Sequence, residues 1–267
     1  MNVGDLEVLA VWDGAAKMPA TQAFRGTTDE MWAPHRQFLD PDGMFVIEVG
    51  GFLVRGGGDR VVLVDAGIGS GGGPVFQGGR LLESLAAIGV QPADVTDVLF
   101  THLHFDHVGW ATNHGEIVFP NATYRCDAAD WAHFVGPDER ATAKLEPIEG
   151  RLSTWEGSGT ILPGIDTMAA PGHTPGSTIM VLSSGAERAL LLGDVVHCPV
   201  ELLEDEWAGM GDVDPDLARR TRVALARELE GTDVPVAAAH FQGLQFGRLL
   251  GAQGRRSWVF SDSPGSA

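Results

Sequence analysis

Four residues that bind metal ions well sit almost side by side in Thr101-His102-Leu103-His104-Phe105-Asp106-His107-Val108-Gly109. Imidazole and carboxylate are the donors that zinc and similar borderline divalent ions prefer. In an extended segment side chains alternate, so His102 and His104 point to one side. A tight turn into a helix then swings Asp106 and His107 toward a neighbouring point. Further donors follow downstream: His173 in Pro171-Gly172-His173-Thr174-Pro175-Gly176, Asp194 after Gly193, and His240 after Ala239. Taken singly, His173 and His240 read as readily as structural residues, and Asp194 as a turn residue. As an ordered set, each at the end of a predicted strand, they point to a metal centre. A divalent centre of this kind activates water and polarises a carbonyl or phosphoryl oxygen. No GxSxG stretch supplies a serine nucleophile instead.

Short strands must carry these residues to a common edge. Residues 6–12 alternate roughly and read as a first strand. Residues 13–43, rich in Gly, Pro and charge, read as an irregular arm. Met44–Arg55 and Arg60–Asp65 form a hairpin around Gly56-Gly57-Gly58-Asp59. Leu81, Leu82, Leu85 and Ile88 share one face of a helix over 79–89, which Gly89 ends. Val95–Phe100 is an apolar strand leading straight into the His-rich motif. Residues 127–135 read as helical, and 136–160 carry no clear period and cover the site. Strands at 161–162, 167–169, 178–183 and 188–192 follow. Asp214 and Pro215 open a helix over 215–230, with Arg219, Arg220 and Arg222 on a solvated face. Val234–Ala239 reads as a last buried strand. Two sheets packed face to face, with helices outside, satisfy this pattern. The reading is one domain over 1–260 and a disordered tail at 261–267.

Acidic residues outnumber basic ones, 36 against 18, for a formal charge of −18. Nucleic acid and anionic membranes need Lys and Arg to neutralise phosphate, so neither is expected as a partner. Neutral or cationic small molecules are the easier substrates. Two distant cysteines, Cys126 and Cys198, make no disulfide framework and fit a reducing cytoplasm. No leader-like or membrane-spanning stretch is visible.

The order HxHxDH, then a distant His, an Asp and a last His, resembles the metallo-β-lactamase-fold hydrolase superfamily. The likeness runs from about Met44 to about Val259 and includes Val61-Val62-Leu63-Val64-Asp65-Ala66-Gly67. It implies an αββα sandwich of two mixed β-sheets with outer helices. It also implies two divalent ions, zinc by default, with manganese, iron or cobalt fitting the same donors. His102, His104 and His173 would hold one ion, Asp106, His107 and His240 the other, and Asp194 would bridge them with a hydroxide. By the same likeness Asp65 would accept a hydrogen bond from a ligand imidazole; read by itself it is a strand-end turn residue.

Within the superfamily the chain looks most like N-acyl-homoserine lactone lactonases and methyl-parathion-type hydrolases, on His104–Gly109, His173–Ser177 and Leu192–His197. The implied activity is attack by a metal-bridging hydroxide on a small neutral ester, lactone or phosphotriester, with Asp106 and Asp194 taking part. Such lactonases often carry a Tyr shortly after the bridging Asp. This chain has His197 there, and its single tyrosine is Tyr124. His197 is either a donor to the oxyanion or leaving group, or a structural histidine. The alternatives are a mononuclear iron oxidoreductase of the persulfide dioxygenase type and a glyoxalase-II-like thioesterase. A homodimer is the expected assembly if the chain self-associates.

Overall fold

The structure, a computed structural model, describes residues 1–261 apart from Gly57, Gly72, Pro74 and Gln253. Of the expected tail at 261–267, only Ser261 falls within the described residues. Period-two alternation of apolar side chains sets the layers. In Gly58–Val64, Val62 and Val64 face one way and Leu63 the other; in Thr178–Ser184, Met180 and Leu182 oppose Ile179 and Val181. Val62, Val64, Phe52 and Leu99 meet Met180, Leu182, Leu191 and Ala237 in a core between two sheets. Helices close the outer faces. Leu81–Ala87 and Glu139–Leu145 pack on the first sheet through Leu81, Leu85 and Leu145. Pro215–Leu229 packs on the second through Leu225, Ala226 and Leu229. Each buried Leu contributes about 2 kcal/mol of hydrophobic stabilisation. The layers are those of an αββα sandwich.

The first sheet runs in the order Asn2–Val3, Leu6–Pro19, Met44–Gly56, Gly58–Val64, Asp97–Leu99, Thr123–Asp127, Leu152–Trp155, with Phe76–Gln77 also paired to Leu6–Pro19. The second runs Gly159–Leu162, Ile165–Ala169, Thr178–Ser184, Glu187–Leu191, Val236–Ala237, Gly247–Ala252, Arg255–Phe260. Both are mixed, and their parallel pairs position the site. Val64 lies opposite Leu99, so Asp65 and Thr101 leave the sheet together. Leu191 lies opposite Ala237, so Asp194 and His240 do the same in the second sheet. The Thr178 N–H donates to the Thr101 carbonyl at 2.9 Å and joins the two edges.

Three expectations need correcting. Residues 13–43 are not an irregular arm: the strand Leu6–Pro19 continues through 13–19, and helical turns follow at Ala20–Ala23, Asp29–Trp32 and Ala33–Phe38. Pairing with Met44–Gly56 holds Gly14–Pro19 extended against a weak local β-propensity, and the register slips between Trp12 and Gly14, at buried Asp13. Second, Val234–Ala239 is not the last strand; it narrows to Val236–Ala237, and Gly247–Ala252 and Arg255–Phe260 complete the sheet. Their charges and glycines hide a hairpin whose large buried side chains are Leu249 and Trp258. Third, Arg222 does not lie on a solvated face but is 2% exposed. Residues 136–160 hold a helix and an edge strand, and Asp138, Arg140 and Lys144 line a depression beside His104. Among the described residues no helix is long and apolar enough to cross a membrane.

Candidate metal centre

The strand Asp97–Leu99 ends just before the His-rich motif. His102 follows in a bend and His104 in extended backbone, and Phe105–Val108 then makes one helical turn that brings Asp106 and His107 round. Gly109 ends this turn against Ile68: an added Cβ would lie 1.8 Å from the Ile68 carbonyl carbon. Asp65 takes a positive φ of 61°, uncommon without glycine. From there its carboxylate accepts the Thr101 N–H and hydroxyl, each at 2.8 Å, and lies 2.9 Å from His107 Nδ1. Asp130 ties the two histidine loops together. It accepts from Leu103 N and Gly176 N at 3.0 and 2.6 Å and from the Thr174 hydroxyl at 3.0 Å.

The predicted residues converge. His102 Nε2 and His173 Nε2 lie 3.0 and 2.9 Å from His104 Nδ1. Asp194 presents Oδ1 to His107 Nε2 at 3.1 Å and Oδ2 to His240 Nε2 at 2.9 Å. Oδ2 is also 3.5 Å from His173 Nε2 and 3.8 Å from His102 Nε2. Asp106 Oδ2 is 3.6 Å from His240 Nε2. Donor atoms of His102, His104 and His173 therefore group together, as do those of Asp106, His107 and His240, with Asp194 among them. The outward nitrogens are held as well. His107 Nδ1 faces Asp65, His173 Nδ1 faces Asp212 Oδ1 at 3.0 Å, and His240 Nδ1 donates to the Glu48 carbonyl at 2.6 Å. This leaves the inward nitrogens free to bind.

These residues fit a pair of divalent ions. His107 Nε2 and Asp194 Oδ1 are buried and make no hydrogen bond, although they face each other. Burial, reinforced by the neighbouring imidazoles, holds His102 well below the usual histidine range and His104 down at about 4. Neutral imidazoles with free lone pairs are what a metal ion requires. Burial disfavours the charged form of His107, but Asp194 and Asp65 outweigh it and raise this group well above the usual range. Burial likewise opposes ionisation of Asp194, and His107, His240 and His102 overcome it. The electrostatics thus favour positive charge between His107 and Asp194.

His197 stands beside this group, its Nε2 3.6 Å from Asp194 Oδ2 and its ring stacked on His240 at 5.9 Å. Burial lowers its basicity, but Glu201, and beyond it Asp194 and Asp212, raise it to about 9. Tyr124 does not reach the site; it is fully buried under the first sheet and donates to the Ala111 carbonyl at 3.2 Å. A cavity of about 240 Å³ opens onto Asp106, Asp194, His197 and His240, with Phe24, Phe45, Ile47, Phe76, Phe105 and Met210 around it. A larger cavity of about 590 Å³ beside Trp32 and Arg36 contains none of these donors. The motifs did not reveal Asp212, Glu201, Asp130 or the Glu48 carbonyl. Only Asp212 carried a signal, in the loop Gly209-Met210-Gly211-Asp212-Val213-Asp214.

The sequence profile of the metallo-beta-lactamase superfamily matches residues 51–240. N-acyl homoserine lactonase AiiA of Bacillus thuringiensis subsp. kurstaki is 27% identical over 139 residues, 52% of this chain and 53% of that protein. The match thus spans about half the length of that lactonase. Metallo-beta-lactamase domain-containing protein 1 of Xenopus laevis is 31% identical over 234 residues, covering 81% of this chain and 85% of that protein. AidC, a dizinc quorum-quenching lactonase solved with the product N-hexnoyl-L-homoserine, superimposes with a TM-score of 0.88. That superposition covers 98% of this chain and 97% of AidC at 23% identity, a likeness of fold. With the profile matching well over half of its residues, the chain belongs to the metallo-beta-lactamase superfamily.

Proposed function

We propose that this protein is a hydrolase that uses two divalent ions, zinc by default, to open a small neutral lactone or ester, or a phosphotriester, carrying an apolar group. The observation that carries this reading is the meeting of His102, His104, His173, Asp106, His107, His240 and Asp194, in which buried His107 Nε2 and Asp194 Oδ1 face each other without a hydrogen bond. His102, His104 and His173 would hold one ion, Asp106, His107 and His240 the other, and Asp194 would serve both. When bound, such ions lower the pKa of water and polarise the oxygen of the bond to be cleaved.

The chain's own groups do the rest. Asp65, Asp212 and the Glu48 carbonyl fix the histidine tautomers. Asp106 is placed to take up a proton and return it to the leaving group. His197 faces the same cavity and is placed to donate to the oxygen on which negative charge develops. The phenylalanines exclude water and receive an acyl or aryl group. The names of the lactonase relative and of AidC support the lactone class. The free thiols of buried Cys126 and Cys198 suit a reducing cytoplasm.

The test is elemental analysis of the purified protein, followed by assays against a lactone, an aryl ester, a phosphotriester, a thioester and a persulfide. Near two ions per chain, with turnover abolished by chelation and by Asp194→Ala, is the expected result. About one iron per chain with oxygen consumed on the persulfide, and no hydrolysis, would overturn it.

A further inference from the structure

The helix Pro215–Leu229 turns Arg222 inward behind the site. Arg222 Nη1 and Nη2 each lie 3.2 Å from Asp212 Oδ2, and its Nε lies 3.6 Å from Glu201 Oε1. The other oxygen of Asp212 meets His173 Nδ1 at 3.0 Å, and the other oxygen of Glu201 lies 3.4 Å from His197 Nδ1. A series of close charge contacts, imidazole–carboxylate–guanidinium–carboxylate–imidazole, thus runs from a candidate metal ligand to the histidine facing the cavity. It is hydrogen-bonded through Asp212 and joined through Glu201 by ion pairs in which Arg222 Nε and His197 Nδ1 make no hydrogen bond. The side chains of Asp212, Arg222 and Glu201 are at most 3% exposed. Glu201 is fixed further by the N–H groups of His197, Cys198 and Gly209 at 2.6, 3.2 and 2.8 Å. Buried charges of this kind often cost more than well-packed apolar residues in their place, so folding alone does not account for them.

We propose that Arg222 is a positioning residue of the site: through Asp212 and Glu201 it orients His173 and His197 together. Ion retention by the His102–His104–His173 group and substrate contact by His197 then both depend on one guanidinium. The inference rests on the two-ion reading above. A planar fork is needed to hold both carboxylates at once; an ammonium acts as a single point charge and holds one of them.

The test compares wild type with Arg222→Lys, Asp212→Asn and Glu201→Gln. Cobalt(II) retained per chain is measured under chelator competition, along with the ligand-field spectrum, kcat and KM, and the urea midpoint. Arg222→Lys is expected to stay folded, to hold one of the two ions about 10–100-fold more weakly, and to lose turnover. Asp212→Asn reproduces the metal defect. Glu201→Gln retains both ions but loses kcat/KM. Should Arg222→Lys fail to fold, this split between the two carboxylate variants decides the matter. Wild-type protein holding two ions, with all variants matching its affinity and spectrum, would overturn the inference alone; so would a lowered urea midpoint as the sole change. A wild type that retains no stoichiometric ion would overturn the two-ion reading and the inference with it.

Discussion

Asp13 offers a sharp test of how the site is held from behind. Its carboxylate is fully buried at the register slip of Leu6–Pro19. Oδ2 accepts the N–H groups of Ile68 and Gly69 at 2.7 and 3.2 Å; Oδ1 accepts those of Gly79 and Leu81 at 3.0 and 2.8 Å, and the Trp110 indole at 2.9 Å. Those loops grip the metal motif, because Ala66 N donates to the His107 carbonyl and Gly109 N to the Gly67 carbonyl, each at 2.7 Å. Asp13→Asn keeps the shape but points an NH₂ group at two or three buried donors, whichever way the amide turns. At least two hydrogen bonds to a charged acceptor are lost, each worth roughly 1.5–3 kcal/mol. The expected loss is therefore about 3–6 kcal/mol, a large share of the roughly 5–15 kcal/mol typical of a domain. In urea titrations with the metal present throughout, the midpoint should fall by about 1 M or more. A loss below about 1 kcal/mol would refute this account of Asp13.

The single tyrosine makes an optical probe of the layer between the first sheet and its outer helices. Burial pushes Tyr124 up to about 12 from 10.0. A phenol with a raised folded pKa contributes stability fully below its unfolded value, and loses that contribution as pH rises from 10 toward about 12. Tyrosinate absorbance should therefore be absent in native protein at pH 10.5 to 11 and appear only on unfolding; native titration near 10 would contradict the burial argument. Gly109→Ala should abolish ion retention, read by elemental analysis, because its Cβ would meet backbone of Ile68 and Gly69 at 1.8 and 2.3 Å. Phe105 is 59% exposed at the cavity mouth and packs edge-on to Phe76 at 5.3 Å. Phe105→Ala should raise KM about tenfold for substrates with a long apolar group and leave a methyl-sized analogue unchanged, as loss of roughly 1.4 kcal/mol of apolar contact requires. An unchanged KM for the long-chain substrate in this variant would remove Phe105 from the substrate wall.

The candidate donors were legible because ligand chemistry and strand periodicity coincide in them. His102, His104, Asp106 and His107 announce themselves by type and spacing, and Asp194 and His240 each follow an apolar run that had to be a buried strand. What escaped was set by tertiary contacts. Gly14–Pro19 has poor local strand character, and only its pairing with Met44–Val49 makes it a strand. Arg248 to Trp258 shows mixed polarity because its hairpin buries one face against Phe241 and leaves the other in water. Arg222 shares a helix with exposed arginines, and nothing local says that it faces two distant carboxylates.

The acidic excess carries a related lesson. Read as composition, −18 speaks of solubility and of partners. In the fold, several acids are not on the surface at all. Asp13 and Asp130 accept backbone N–H groups that join loops, Asp65 and Asp212 face histidine Nδ1 atoms, and Glu201 stands behind His197. A site built from imidazoles and two carboxylates needs acceptors at its back, since a ring that presents a lone pair inward is steadied when its other nitrogen is held. Carboxylates suit that task because they accept several hydrogen bonds and pull positive charge toward the site. Their burial is tolerable where N–H donors, an arginine or bound cations balance them. The same acids therefore shape the site and make it dependent on its ions: remove the cations and the negative charges behind the histidines are left under-compensated. Metal-free protein should consequently unfold at lower urea than the loaded form, and the midpoint should rise with added zinc in the manner of a ligand that binds only the folded state. Equal midpoints for the two forms would detach the ions from the stability of the fold and leave the buried acids without this role.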